Sequence, residues 1–523
     1  MVGILTDLLS GLLSGLIRGD FSAMRSASAF SDDRLDECVI GPISPHRVAM
    51  ELAGATLLLL LPALINGYPL VFPDTGVYIL QAIEHAAVPE RPPYYSHLIL
   101  LIDLKLSLWP VIAMQCLAVA TALWLIVHSL VPFARVSFYF LVIAMLTAFT
   151  SLGWLASQIM PDIFTGLLTI TVFLIVWTWE RRGPPARATL VIAVCVVTTL
   201  HYTFLPLAIG LFGVAALIRL SQGGGWRDAC RVAAIGTIVS AVAASAFVWY
   251  SLQIIHRPVL APSGSIFLAG RVLADGPGRE WLAANCPTSG NPFCKYQDRL
   301  PNSTAAFLWS PSSSLRDVTH EVGPEQTRRA ATQIVVGAIT LRPGAEFAAA
   351  LANSWRQLVH FGTLDTDCPE RCRETDLVSV TIKRYFPREY GRFRNSLQIT
   401  GRLPKRAIRR LDSPFVTAAL LIDFLLLIVA VRDGDGLTTG FLVIVAATLV
   451  LNAILCGALS DPTDRYQSRV IWLVPLSAML GLGRIWSLQK MGRRVTEIES
   501  LAVMGSDLGL LPDAQQSLTN DQF

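Results

Sequence analysis

Long apolar stretches without Asp, Glu, Lys or Arg alternate with short polar segments along most of the chain. The stretches 106–134, 232–255 and 437–460 contain none of these four residue types, and the stretch 136–179 contains only Asp162. A helix of about 20 mostly apolar residues crosses a bilayer core about 30 Å thick. The pattern therefore predicts an all-α polytopic membrane protein with about ten transmembrane helices, at 48–66, 107–131, 137–155, 161–179, 187–201, 203–219, 231–254, 413–431, 437–459 and 470–487.

The fifth and sixth predicted spans share one apolar run, 188–218. This run is longer than one membrane-crossing helix needs. It therefore predicts a helical hairpin that turns at His201 and Tyr202.

The N-terminal segment 1–46 does not have the pattern of a secretory signal, because no basic residues precede its first apolar residues and Asp7 lies among them. Its apolar residues instead predict an amphipathic helix, which packs either on the membrane surface or on the protein itself. The residues at helical spacing are Ile4, Leu5, Leu8, Leu9, Leu12, Leu13, Leu16 and Ile17.

Composition supports a membrane protein. Of the 523 residues, 53% are hydrophobic and 15% are charged, whereas an average soluble domain has about 25% charged residues. This difference excludes an ordinary soluble enzyme. The formal net charge of +4 gives no reason to expect nucleic acid as a partner, because the basic residues lie mostly in short loops between apolar runs.

These basic loop residues predict the orientation of the chain, because Lys and Arg are enriched in cytoplasmic loops. They fall on one side of the predicted bundle and are Arg135, Arg181, Arg182, Arg187, Arg219, Arg227, Arg231, Arg432, Lys490, Arg493 and Arg494. Both termini are then cytoplasmic, as in a protein of a bacterial inner membrane. The segments expected on the extracytoplasmic side are 67–105, 154–161, 201–203, 255–412 and 460–469.

The same pattern predicts how the chain is divided. The longest external segment forms an extracytoplasmic domain of mixed secondary structure between spans seven and eight. The predicted parts are a cytoplasmic N-terminal segment (1–46), a transmembrane module (47–254) with a first external loop (67–105), the extracytoplasmic domain (255–412), C-terminal transmembrane helices (413–487) and a cytoplasmic tail (488–523).

Two close cysteine pairs lie in the predicted external domain, Cys286 with Cys294 and Cys368 with Cys372. An external compartment permits disulfides, and each pair encloses a short loop. A metal site is the alternative, but the first pair lacks the tighter CxxC spacing of four-cysteine zinc sites. Two local disulfides are therefore expected.

The first external loop carries Asp74 and continues through Tyr78 to the sequence Arg91-Pro92-Pro93-Tyr94. The loop keeps many aromatic residues, which indicates a folded segment packed at the membrane surface. In the structural alternative, Asp74 only caps a helix that begins at the next residue.

Further polar residues are predicted on the same side. Asp162 follows a proline at the outer start of the fourth span, where an acid is also ordinary helix-start chemistry. Arg465 and Tyr466 lie in the segment 461–469, whose two acids and two arginines predict either a salt-bridge cluster or a phosphate site. His201 is a titratable group at this level or a hydrogen-bonded structural residue. Their shared side indicates an active site between the bundle and the external domain.

The order of these motifs resembles the GT-C superfamily of membrane glycosyltransferases, which includes protein O-mannosyltransferases and lipid A aminoarabinose transferases. The similarity covers roughly residues 45–180 and 440–485. It rests on an acid, a Tyr and a Pro-Pro pair in the first external loop, an acid at the start of the fourth span, and an Arg-Tyr pair before a final span that contains proline. The matching residues are Asp74, Tyr78, Pro92, Pro93, Asp162, Arg465, Tyr466 and Pro475.

The resemblance implies a polyprenyl-phosphate sugar donor and an extracytoplasmic acceptor, which is a lipid, a glycan or a protein. Asp74 would be the catalytic base that deprotonates an acceptor hydroxyl, and Asp162 would be a second acid of the site. Arg465 and Arg91 would bind the donor phosphate. The residues expected to line the substrate are Tyr78, Tyr94, His201 and Tyr466.

Asp74 stands without an adjoining Asp or Glu, unlike the acid of better-known GT-C enzymes. This favours a metal-free reaction, with a divalent cation as the alternative and no other cofactor expected. A single displacement at the anomeric carbon would make the reaction inverting. The competing functions are a transporter or flippase for a lipid-linked or anionic substrate, and a non-catalytic membrane assembly protein. The sequence has no strong internal repeat, no paired broken helices and few mid-span acids, of which Asp423 is the main one, and these features argue against transport.

Overall fold

The computed structural model describes residues 44–103, 105–132, 134–286, 288–362 and 372–507, and gives only the backbone for 492–507. The predicted N-terminal amphipathic helix and Cys368 lie outside the described residues. The described residues form α-helices, 3₁₀ turns and loops, with no strand among them. The fold is therefore all-α, as the apolar periodicity predicts.

The described chain up to Ile255 forms a series of helices joined by short loops, and several of these helices begin at a proline. Proline fits the first position of a helix because the N–H that it lacks would have no partner there. The helices are α1 (Pro45–Asn66), α2 (Pro73–Glu84), α3 (Tyr94–Asp103), α4 (Trp109–Leu130), α5 (Val136–Phe149), α6 (Leu152–Ala156), α7 (Phe164–Trp177), α8 (Pro184–Thr199), α9 (Phe204–Ser221) and α10 (Gly225–Ile255).

Helices α2 and α3 form the first loop between spans, and α8 and α9 form the predicted hairpin. Because α8 ends at Thr199 and α9 begins at Phe204, the turn lies at His201 and Tyr202. The hairpin prediction is confirmed.

The segment after α10 is also helical, so the mixed secondary structure expected for it is not observed in its described residues. A 3₁₀ segment, Pro292–Arg299, connects two of its helices. The helices are α11 (Gly264–Asp275), α12 (Pro277–Asn285), α13 (Thr304–Trp309), α14 (Ser314–Leu341), α15 (Pro343–Val359), α16 (Leu377–Tyr385) and α17 (Pro387–Asn395).

This segment packs in two ways. Helices α11 to α14 enclose an apolar core of their own, which includes Leu273, Phe293 and Ile334. Val378 of α16 and Phe393 of α17 instead belong to the apolar core of the membrane bundle. Only the first part of the segment is thus built around a separate core.

A disulfide joins Cys286 and Cys294 next to this separate core, which confirms the first predicted pair and excludes a metal site there. Cys372 is also disulfide-bonded. Since Cys368 is not described, its pairing with Cys372 stays a prediction.

The C-terminal part returns to the bundle through four helices. Their ranges are α18 (Lys405–Asp433), α19 (Gly436–Leu459), α20 (Asp464–Ile471) and α21 (Leu473–Asp507).

Seven helices in the described chain are long and apolar enough to cross a membrane, which identifies a polytopic membrane protein. They are α1, α4, α9, α10, α18, α19 and the run Asp464–Met491. The three remaining predicted spans coincide with the shorter apolar helices Val136–Phe149, Pro161–Trp177 and Pro184–Thr199. Helix α5 has 14 residues and is about 21 Å long, which is less than a bilayer core of about 30 Å. The count of ten spans therefore stays a prediction.

Candidate functional site: a buried ion-pair cluster

Backbone contacts align the first loop with the start of the fourth apolar helix. The N–H of Ile159 donates to the carbonyl of Leu70 at 2.9 Å. The hydroxyl of Thr75 also donates to the Ile159 carbonyl at 2.9 Å. These bonds fix the first turn of α2 beside the 3₁₀ turn Pro161–Ile163, so Asp74 and Asp162 lie in one region.

Helix α20 supplies the cations that join the two acids. One guanidinium nitrogen of Arg465 donates to Asp162 at 2.8 Å, and another lies 3.6 Å from Asp74. Arg91 donates to Asp74 at 2.7 Å, and Arg469 lies 3.8 Å from Asp162. We call these five residues the ion-pair cluster. Three guanidinium groups and two carboxylates leave one net positive charge, which suits an anionic ligand.

The cluster is buried although it is highly charged. The side chains of Asp162 and Arg469 are 4% and 3% exposed, and the other three are less than one-fifth exposed. Buried charges are costly unless they are paired and hydrogen-bonded. Each acid of the cluster accordingly contacts two arginines.

Burial alone would raise the pKa of the Asp74 carboxyl. Arg91 and Arg465 outweigh this effect, so the pKa of Asp74 lies below its ordinary value. Asp74 is therefore ionised at neutral pH but weakly basic while both arginines hold it. A ligand that draws these arginines away would make Asp74 a stronger base.

Aromatic rings surround the arginines. The guanidinium carbon of Arg465 lies 4.0 Å from the ring centre of Phe72 and 6.0 Å from that of Tyr466. Arg91 lies 5.9 Å from the ring centre of Trp309, which is the last residue of α13. These cation–π contacts hold the guanidinium planes and bring the segment with the separate core to the edge of the cluster.

Two buried polar atoms at the site have no hydrogen-bond partner among the described residues, namely Nε of Arg465 and the hydroxyl of Tyr78. A buried polar group without a partner costs about 1–3 kcal/mol. Each such group calls for an explanation, and in the proposal below a ligand supplies the missing bond.

Most of the predicted site residues come together here. Asp74, Arg91, Asp162 and Arg465 form contacts in the cluster, and the alternative in which Asp74 only caps α2 is wrong because its carboxylate bonds Arg91. Tyr466 lies beside both arginines of α20 and is 3.2 Å from Ser460.

His201 lies close enough to the cluster to interact with its charges, whereas Tyr94 contacts a different helix. Burial, reinforced by the positive charges of Arg469 and Arg91, lowers the pKa of His201 to about 3, so its ring is neutral. Its Nδ1 lies 2.8 Å from the Thr203 hydroxyl. Tyr94 donates to the carbonyl of Ala246 at 2.6 Å and so contacts α10 rather than the cluster.

Asp461 and Asp464, which share a sequence motif with Arg465, also lie apart from the cluster. Asp461 binds Arg271 at 2.8 Å, and Asp464 binds Arg409. The two acids thus connect the first half of the segment 461–469 to the rest of the protein.

Three residues of the site were not among the predicted site residues. They are Phe72, Arg469 and Trp309. Arg469 follows Arg465 by four positions in a helix, and this spacing could have revealed it because such residues share a face. Phe72 carries no charge, and Trp309 is distant in sequence, so no local signal marks them.

The described residues contain no group of three or more His, Cys, Asp or Glu side chains arranged to hold a metal ion. Asp74 and Asp162 are both engaged by arginines.

Comparisons of the chain with protein families, with characterised proteins and with solved structures find no match.

Proposed function

We propose that this protein is a membrane glycosyltransferase of the GT-C type, which moves a sugar from a polyprenyl-phosphate donor to an extracytoplasmic acceptor. The observation that carries the proposal is the buried ion-pair cluster. Acids and arginines from three separate regions of the chain meet at one end of an apolar bundle.

The cluster fits both parts of such a donor. Its net positive charge and the free Nε of Arg465 suit a phosphate, which arginine binds through planar, paired hydrogen bonds. The neighbouring apolar helices suit a polyprenyl chain. Arg465 and Arg91 are the phosphate-binding residues in this proposal.

The reaction is a single displacement at the anomeric carbon. The acceptor oxygen bonds to this carbon, the bond from the carbon to the phosphate oxygen breaks, and its electron pair leaves with the polyprenyl phosphate. Asp74 takes the proton of the acceptor hydroxyl. General-base assistance of this kind contributes about 10²- to 10⁴-fold in rate.

Donor binding prepares the base. While Arg91 and Arg465 contact Asp74, they stabilise its carboxylate and weaken it as a base. When the donor binds, its phosphate draws the two arginines away from Asp74. The basicity of Asp74 therefore rises only in the donor complex. Asp162, held between Arg465 and Arg469, positions the phosphate-binding arginine.

In this proposal the cluster lies on the extracytoplasmic side of a bacterial inner membrane and both termini are cytoplasmic. The distribution of Lys and Arg over the short loops supports this orientation. A transporter or a non-catalytic assembly protein is the competing proposal. Asp423, the main mid-span acid, accepts a hydrogen bond from the Ser477 hydroxyl of α21 at 2.7 Å rather than joining a chain of acids.

The test measures transfer of label from radiolabelled polyprenyl-phosphate sugars in membranes that contain the wild type, Asp74→Asn or Glu84→Gln, with and without a chelator. Glu84 is the matched control, because it lies on the same helix but contacts Tyr385 and Arg384 outside the cluster. We expect transfer by the wild type and by Glu84→Gln, and at least about 10²-fold less by Asp74→Asn.

A binding assay with the labelled donor distinguishes donor binding from sugar transfer. Asp74→Asn should still bind the donor, whereas Arg465→Ala should not. Transfer by Asp74→Asn at the wild-type rate would remove Asp74 from the mechanism. Failure of the folded wild type to bind or use any donor would favour transport or assembly.

A further inference from the structure

Helix α15 carries a stripe of exposed apolar side chains at every fourth position. Phe347, Leu351, Trp355 and Val359 are 73%, 63%, 65% and 51% exposed. Side chains four positions apart lie on one face of a helix. We call these four residues the α15 stripe.

The opposite side of α15 is polar and buried. Asn353 and Gln357 are buried, and Gln357 donates to the carbonyl of Thr463 at 2.9 Å. Helices in water usually show the reverse arrangement, with apolar residues inside and polar residues outside. The side of α15 that faces away from the protein is therefore suited to an apolar medium.

Helix α15 packs directly on a membrane span. At Gly457 of α19, an added Cβ would lie 2.6 Å from the carbonyl oxygen of Asn353, so the two helix backbones are in close contact. Leu358 and Phe361, at and just beyond the end of α15, pack against the apolar core of the bundle. The stripe is thus carried by a helix continuous with the membrane part of the protein.

Together with α14, helix α15 has the geometry of a broken span or a re-entrant segment. The two helices together are apolar and long enough for a span, but they are bent by 104° at the break between Leu341 and Pro343. The last turns of α14 add exposed Val336 and Ile339. Irregular backbone at such a break is tolerated at membrane depth where it is buried in protein or lines a water-filled cavity.

We propose that the α15 stripe contacts lipid acyl chains, in the leaflet at the end of the bundle where the ion-pair cluster lies. Its occupant is the bilayer itself. The continuity with α19, which exposes Val450 and Ile454 of its own, favours lipid over a protein partner. The proposal does not depend on the glycosyltransferase function.

The buried face of α15 also contacts the segment that carries the cluster. Gln357 binds Thr463, which lies two residues before Arg465 in sequence.

The test places the photocrosslinking residue p-benzoylphenylalanine at Leu351 or Trp355 of the full-length protein in membranes with radiolabelled phospholipid. Leu421 of α18, which is 65% exposed on a candidate span, is the lipid-facing control. Arg299, which is 62% exposed in the 3₁₀ segment, is the water-facing control. We expect labelled lipid adducts at Leu351, Trp355 and Leu421, with at least about 10-fold less label at Arg299.

Other outcomes identify other occupants. A crosslinked band of twice the protein mass would show that a second copy covers the stripe, and a band of another mass would show a different protein. Either band in place of the lipid adduct would overturn the proposal. So would the absence of label at Leu351 and Trp355 when Leu421 is labelled, because the stripe would then face water.

Discussion

Arg465 and Asp162 form an ion pair at 2.8 Å although 303 positions of the chain separate them. The pair joins the helix before the last span to the start of the fourth apolar helix. Both side chains are largely buried, and breaking a fully buried pair costs about 3–5 kcal/mol. Here each partner keeps a second, longer contact, from Asp162 to Arg469 at 3.8 Å and from Arg465 to Asp74 at 3.6 Å.

The first prediction concerns the geometry of Arg465. Arg465→Lys keeps the charge but loses the planar set of donors that contacts Asp162 and suits a phosphate. We expect a KM for the polyprenyl-phosphate donor at least about 10-fold higher, with a smaller change in kcat. Steady-state kinetics with labelled donor give both values.

Arg409→Lys is the matched control for this substitution, because Arg409 pairs with Asp464 next to Arg465 but lies outside the cluster and is more than half exposed. Equal effects of the two substitutions on KM would argue against a phosphate contact of Arg465.

The second prediction concerns the hydroxyl of Tyr78, which is buried without a partner among the described residues. Removing an unsatisfied polar group relieves a cost, so Tyr78→Phe should leave the melting temperature in detergent unchanged or slightly higher. If a substrate supplies the missing bond, activity should fall about 10-fold. Unchanged activity together with unchanged stability would show that this hydroxyl contacts no substrate.

The third prediction concerns pH. The pKa of Asp74 lies below its ordinary value, so its ion pairs stabilise the folded protein at pH values above about 4 and lose this effect as pH falls through the lowered pKa. The difference in melting temperature between the wild type and Asp74→Asn should therefore be constant from pH 8 to about pH 5 and shrink below about pH 4.

A difference that instead shrinks between about pH 5 and pH 7 would mean that Asp74 titrates near neutrality and is not held by the arginines. His201, whose pKa is lowered to about 3 in the folded protein, also makes stability depend on pH, but it is present in both proteins and its contribution cancels in the difference.

The fourth prediction concerns the contact between α15 and α19. Gly457→Ala would place a Cβ 2.6 Å from the backbone of Asn353 and force the helices apart. Overpacking of this kind costs about 1–3 kcal/mol. We expect a lower melting temperature for this variant.

Gly213→Ala on α9 is its control, because an added Cβ there meets no atom within 4 Å. Alanine also favours a helix over glycine by about 0.5–1 kcal/mol, so this control should be as stable as the wild type or more stable. Equal melting temperatures for Gly457→Ala and the wild type would mean that α15 is not packed closely on α19.

The sequence predicts the apolar helices well, because a bilayer demands long uncharged runs. It also predicts that Asp74, Asp162 and Arg465 come together, since each lies just outside or at the end of a predicted span on the same side. Both predictions follow from the positions of the spans along the chain, because the ends of spans on one side of a bundle lie near one another.

The rest depends on tertiary contacts that no local pattern reveals. Trp309 contacts Arg91 and Phe72 contacts Arg465, and in both cases the two residues are far apart in the sequence. Tyr94 follows the Pro-Pro pair expected at the site, yet it points to α10, because one position along a helix turns a side chain by about 100°. Tyr95, the next residue, packs edge-on against Tyr78 with ring centres 5.0 Å apart.

The separate core of α11 to α14 gives this protein a modular construction. Trp309 contacts Arg91 of the ion-pair cluster from a unit that has its own apolar core, whereas all five residues of the cluster lie outside that unit. Under the proposed function, variation of this unit would change specificity over an unchanged set of charged residues.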